Sequence, residues 1–157
     1  MSLFEDNRYQ WRETYFVLFH SEDRPPADKV NSELAKLGSR FAISEVRTDD
    51  DGQFESVTMF SSHDCAAMDI TYISGEEVTE QVAEFAAEMK NATLTREEMG
   101  KIAKITECDA RFDVYHFEEV SDNEDDILDP GALLIVMECL TGLCGGVGID
   151  PQAGSVM

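Results

Sequence analysis

The chain has 157 residues, 43% hydrophobic and 29% charged, with 12 Lys plus Arg against 33 Asp plus Glu and a formal net charge of −21. A chain of this length buries about two-thirds of its unfolded surface and needs no disulfide staples to fold as one domain. The charge excludes the partners of basic proteins: nucleic-acid backbones and anionic membrane surfaces repel it, whereas a basic protein or another cationic ligand is drawn to it.

The longest apolar stretch, Ala132 to Met137, is far short of the roughly 20 residues that a bilayer span needs. The start, Met1-Ser2-Leu3-Phe4-Glu5-Asp6, has neither a basic region nor an apolar core of a secretion signal, so a cytoplasmic location is expected. Cys65, Cys108, Cys139 and Cys144 match no zinc-knuckle or disulfide-framework spacing and read as reduced, mostly buried thiols.

In chain order, Glu13 to His20 (E-T-Y-F-V-L-F-H) reads as a strand with two apolar faces. That is the pattern of a central strand, with Tyr15 to Phe19 covered on both sides by helices of this chain or by a partner subunit. Pro25 and Pro26 open an amphipathic helix carrying Ala27, Val30, Leu34 and Leu37, which Gly38 stops. Phe41 to Glu45 and Phe54 to Phe60 form a β-hairpin about Asp49-Asp50-Asp51-Gly52, and Met68 to Ser74 adds a third strand after a loop spanning Ser61 to Ala67.

Val78, Val82, Phe85, Ala86 and Met89 mark a second helix facing the sheet, with Glu76, Glu77, Glu80, Glu84 and Glu88 outside. Thr95-Arg96-Glu97-Glu98 has the form of a capping box and starts a third helix. Arg111 to Val120 mixes aromatics with charges and reads as a strand near a sheet edge. Ser121 to Asp129 (S-D-N-E-D-D-I-L-D) is too charged to bury and reads as an acidic loop or linker. Asp129 and Pro130 then suit the entry to a last helix, apolar nearly all round, which is expected to cover the second face of the central strand.

The order strand, helix, strand, strand, helix, strand resembles a ferredoxin-like βαββαβ core. It implies an α+β, two-layer architecture with an added strand, an added helix and a C-terminal helix–strand extension. The stretch G-A-L-L-I-V-M-E-C-L followed by G-G-V-G-I-D-P-Q-A-G resembles the ends of a family of small, acidic, uncharacterised bacterial proteins. That resemblance implies a buried helix leading into a strand and a D-P-Q turn, and it implies no activity.

Four groups of residues bear on chemistry. His63-Asp64-Cys65 puts a thiol beside an imidazole and a carboxylate, but neighbours on an extended chain point to opposite faces, so a loop histidine and a small buried thiol are expected. His20 at the end of the first strand and His116 on a later one are the other titratable candidates. Asp122, Glu124, Asp125 and Asp126 offer an acidic run; Ile127 and Leu133 stand where a calcium loop needs Gly and a bidentate Glu, so no metal is expected. No glycine loop for phosphate is present either, because Gly142, Gly145, Gly146 and Gly148 follow a helix instead of preceding one.

The sequence therefore favours a non-catalytic module without a cofactor, presenting Glu80, Glu84 and their neighbours, and the 121–129 run, to a basic partner. Two other expectations stand beside it: a small-molecule binder or enzyme with a pocket near His63, Cys65 and His20, and a homodimer that pairs sheets.

Overall fold

The computed structural model describes residues 3–44, 46–61, 65–89, 94–120 and 131–157. Its backbone is one antiparallel sheet of eight strands with four α-helices. After a 3-10 turn at Leu3–Glu5 come β1 (Tyr9–Phe19), a second 3-10 turn at Ser21–Asp23, and α1 (Ala27–Ala35). Two short strands, β2 (Ala42–Ile43) and β3 (Arg47–Thr48), precede β4 (Phe54–Ser61) and β5 (Ala66–Ser74). Two helices, α2 (Glu76–Met89) and α3 (Arg96–Ile105), then lead to β6 (Ala110–Glu119), α4 (Gly131–Cys144), β7 (Val147–Asp150) and β8 (Ser155–Val156).

Local chemistry sets most of these boundaries. Pro26 stands at the N-cap of α1, and Gly38, at φ 97°, supplies the left-handed residue after its last turn. The turn before β4 closes on Asp49, whose carboxylate accepts the N–H groups of Asp51 and Gln53, both at 2.9 Å. The capping box forms: Thr95 Oγ1 accepts the Glu98 N–H at 3.1 Å, and the Thr95 N–H donates to Glu98 Oε1 at 3.2 Å.

The sheet order is β2-β4-β5-β6-β1-β7-β8, with β3 also on β4. A ferredoxin-like order would put β1 between β5 and β6; here β5 and β6 pair directly from Ala66↔Glu118 to Ser74↔Ala110, and β1 lies beyond β6. Nor is the molecule two-layered. Val17 and Phe19 pack with Val30 and Leu34 of α1 and with Val136 and Leu140 of α4. Leu18, pointing the opposite way, packs with Val78 and Val82 of α2 and Ile105 of α3. The helices thus sandwich the sheet, and α4 shares its face with α1; on the second face of β1, Leu18 is covered by α2 and α3 of the same chain.

Two strand expectations need correcting. β1 is flanked on both sides only where β7 joins it, at Phe16, Val17 and Leu18. Its first half pairs with β6 alone, and there a bulge at Arg12 and the charges of Arg12 and Glu13 blunt the open edge. β6 is no edge strand: it lies between β5 and β1 and is buried from Ala110 through Val114. Its charges are tolerated because Arg111 and Asp113, two residues apart, share a face and pair with each other.

β7 reaches β1 through Gly146. A Cβ there would lie 2.6 Å from the Leu18 carbonyl oxygen and 2.9 Å from Val17 Cγ1. Gly146→Ala is therefore expected to lower the unfolding free energy by about 1–3 kcal/mol. The exposed helical Gly142, with open space around its would-be Cβ, is expected to gain up to about 1 kcal/mol on the same change. Urea denaturation of the two variants checks the contrast, and equal midpoints would refute the close approach.

Candidate binding groove

The second helix carries five glutamates and no basic residue. Its inward residues Val78, Val82, Ala86 and Met89 are buried, and Glu76, Glu77, Glu80, Glu84 and Glu88 are exposed. Glu76, Glu80, Glu84 and Glu88 stand four residues apart, so each repels the next along one stripe of the helix at about 0.2–0.5 kcal/mol per pair. Only Glu76 and Glu77 gain from the helix dipole, being in the first turn. The rest of the stripe is a cost to the isolated helix.

Beside this stripe lies a groove of about 190 Å³ between α2 and the β7–β8 hairpin. Phe16 and Leu18 of β1 and Ile149 of β7 supply an apolar floor together with Val82 and Phe85, while Glu84 and Glu88 stand on the rim. The far wall, Pro151 and Gly154, belongs to the turn between β7 and β8, where Asp150 Oδ1 accepts the Gln152 and Ala153 N–H groups at 3.1 and 3.3 Å. The apolar floor follows from the pairings Phe16↔Ile149 and Leu18↔Val147, which bring inward-facing residues of two strands under one helix.

Under the groove is a charged network. The Arg111 guanidinium sits 4.8 Å from the centre of the Phe16 ring, donates from Nε to Asp113 Oδ1 at 2.6 Å, and hydrogen-bonds Gln81 on α2. Asp113 also accepts the Tyr115 hydroxyl at 3.3 Å. Burial holds the Asp113 carboxyl above its ordinary value, against the opposing pull of its bonds to Arg111. The network fixes the floor of the groove, since the Phe16 ring lies against the guanidinium that ties β6 to α2.

The histidines and cysteines do not assemble. His20 is exposed at the end of β1, 3.9 Å from Glu107, and the adjacent Ser21 hydroxyl donates to Asp109 at 2.8 Å and not to the imidazole. Cys65 and His116 lie towards the other end of the sheet, Cys65 beside Ala66, which pairs with Glu118. Cys65 is exposed, not buried as its type suggested, and has the left-handed φ of 52° in the turn between β4 and β5. Ser61 and Ala66 pair, so the strands run into what the sequence assigned to a loop.

His116 is fully buried, with Nδ1 3.4 Å from Glu13 Oε1 and Nε2 without a hydrogen-bond partner among the described residues. Burial lowers its pKa, outweighing Glu13, which favours the neutral ring. Burial also raises the thiols of Cys108, to about 11, and Cys144, to about 12, which leaves both unreactive at neutral pH. His63, Asp122, Glu124, Asp125 and Asp126 lie outside the described residues. No group of three or more metal-ligating side chains occurs among the described residues.

Against protein-family models, curated proteins and solved structures alike, the chain gives no match. The groove therefore has to be interpreted from its own chemistry. Of the candidates named from sequence, Glu84 lines it and Glu80 stands one turn away on the same stripe; His20, Cys65 and His116 do not line it. Sequence reading missed Phe16, Leu18 and Ile149 as its floor and Arg111 with Asp113 as its support. The signal for the last two was their two-residue spacing on one strand. No helix among the described residues is long and apolar enough to cross a membrane.

Proposed function

We propose that the chain is a non-catalytic interaction module that holds a basic segment of a partner protein along α2, with one apolar side chain of that segment in the groove. The observation that carries this reading is the adjoining of an apolar floor and an acidic rim, Glu84 and Glu88, on a helix whose glutamate stripe weakens the helix itself. The net charge of −21 adds long-range attraction to a cationic segment. The apolar anchor supplies short-range affinity and the rim supplies register.

The test is fluorescence anisotropy of a labelled peptide in which a single Phe is flanked by Lys and Arg. Binding is expected to weaken on the order of tenfold between low and physiological salt, as screening removes attraction between exposed charges. Glu84→Gln with Glu88→Gln is expected to weaken it by a further factor of about 3–10, since each exposed pair contributes up to about 1 kcal/mol. Absence of binding, salt-insensitive binding, or binding unchanged in the double variant would each overturn the reading.

A further inference from the structure

Among the described residues, the face of the sheet that carries α2 and α3 is covered in two places. Those helices close it over Leu18, Ile73 and Val147, and the 3-10 turn at the N-terminus closes it over Ala67 and Phe117 through Leu3. Between the two, a hollow of about 390 Å³ opens onto β4 and β5. This is the size range in which small molecules are held. It shares no lining residue with the α2 groove.

Its composition follows from strand alternation. In β4 and β5, Val57, Met59, Met68 and Ile70 turn to the core, so Ser56, Thr58, Asp69 and Thr71 turn to the hollow. Register sets these in rows, Arg47↔Ser56↔Thr71 and Thr58↔Asp69, with Phe60 at one side. Asp69 is held in place: Oδ1 accepts the Thr58 hydroxyl at 2.5 Å and Oδ2 accepts the Leu3 N–H at 3.2 Å. A carboxylate has about four acceptor sites, so among the described residues two of them remain for a ligand. Arg47 forms no ion pair among the described residues, in a chain where acids outnumber bases 33 to 12.

We propose that this hollow binds a neutral, polyhydroxylated small molecule, a monosaccharide or cyclic polyol. Asp69 accepts from a ligand hydroxyl, Arg47 donates to one, and Ser56 and Thr71 do either, while the Phe60 ring meets the C–H face. The fixed carboxylate and the field of the whole chain disfavour an anion. A cation meets the Arg47 guanidinium, and the two carboxylates that line the hollow are already engaged, Asp69 with Thr58 and Leu3 and Asp6 with Arg8 at 2.7 Å, so they make no set of ligands for a metal.

Saturation-transfer difference NMR on the intact protein tests this with methyl glucoside, methyl galactoside, methyl mannoside, N-acetylglucosamine and myo-inositol, with citrate and spermidine as charged comparators. The expected result is saturable transfer to ring protons of at least one of the neutral compounds. It should be weakened about tenfold by Arg47→Ala and about fivefold by Thr71→Val, the effect of one lost charged or neutral hydrogen bond. Both positions are at the surface or half-buried and lie outside the core, and circular dichroism confirms folding. Glu84→Gln with Glu88→Gln should leave the signal unchanged, so the outcome is independent of the peptide groove. No transfer to any neutral compound, transfer to citrate or spermidine alone, or transfer surviving both variants overturns the proposal.

Discussion

Arg111→Met is expected to lower the unfolding free energy by about 3–5 kcal/mol, because it leaves the Asp113 carboxylate buried without its cation. Asp113 is 2% exposed and Arg111 7% exposed, so neither end of the pair is relaxed by water. For a chain of this size the loss is on the order of 10 °C in melting temperature. Replacing both partners, Arg111→Met with Asp113→Leu, removes the stranded charge and is expected to recover most of the stability, although the bond to Gln81 is lost as well. Urea denaturation of the three proteins checks this, and a single variant within about 0.5 kcal/mol of the parent would show that the pair is not buried as described.

The same variant has a pH signature. Asp113 already has a raised folded pKa from burial, and without Arg111 the opposing pull is removed and the rise is larger. Between the unfolded and folded values the folded chain binds more protons than the unfolded one, so stability falls as pH rises through that window and returns on acidification. The variant's deficit relative to the parent should therefore shrink on acidification from neutral pH towards the ordinary aspartate range. A deficit that grows as pH falls would contradict the assignment of the penalty to Asp113.

On the opposite face, Phe112→Ala is expected to cost about 3–5 kcal/mol. The ring is fully buried, with its centre 4.6 Å from that of Phe19, 5.5 Å from Phe54 and 6.4 Å from Tyr72. Tyr72 in turn lies 3.9 Å beneath the Arg24 guanidinium, which hydrogen-bonds the Phe54 carbonyl and pairs with Asp49 at 3.0 Å. Truncation thus opens a cavity under a clamp joining the start of α1 to β4. Phe112→Leu should lose less, because it leaves less empty volume. Phe112 and the α2 groove are on opposite faces of the sheet, so Phe112→Ala should leave peptide affinity per folded molecule unchanged. A thermal melt and the anisotropy titration together check both halves.

Much of the local structure could be read directly from residues. The three- and four-residue spacing of Val78, Val82, Phe85 and Met89, the Thr95–Glu98 box and the Asp49-to-Gly52 turn all form where they were expected. Each depends on interactions within a few positions of the chain. The acidic stripe of α2 was equally plain.

Tertiary structure alone decided where these elements went. Whether α4 covers the face of α1 or the opposite one, and whether β6 lies inside the sheet or at its edge, depends on pairing between residues far apart in the chain. No local periodicity encodes that choice. Arg111 and Asp113 suggested a strand near the sheet edge because a single buried charge is prohibitive; side by side on one face they neutralise each other, and β6 becomes interior. The groove and the polar hollow come from the same kind of decision: their walls are drawn from β1, α2 and β7 in one case and from β3, β4 and β5 in the other. Composition and spacing determined what each segment is, and the packing of distant segments determined which surfaces remained open to a ligand.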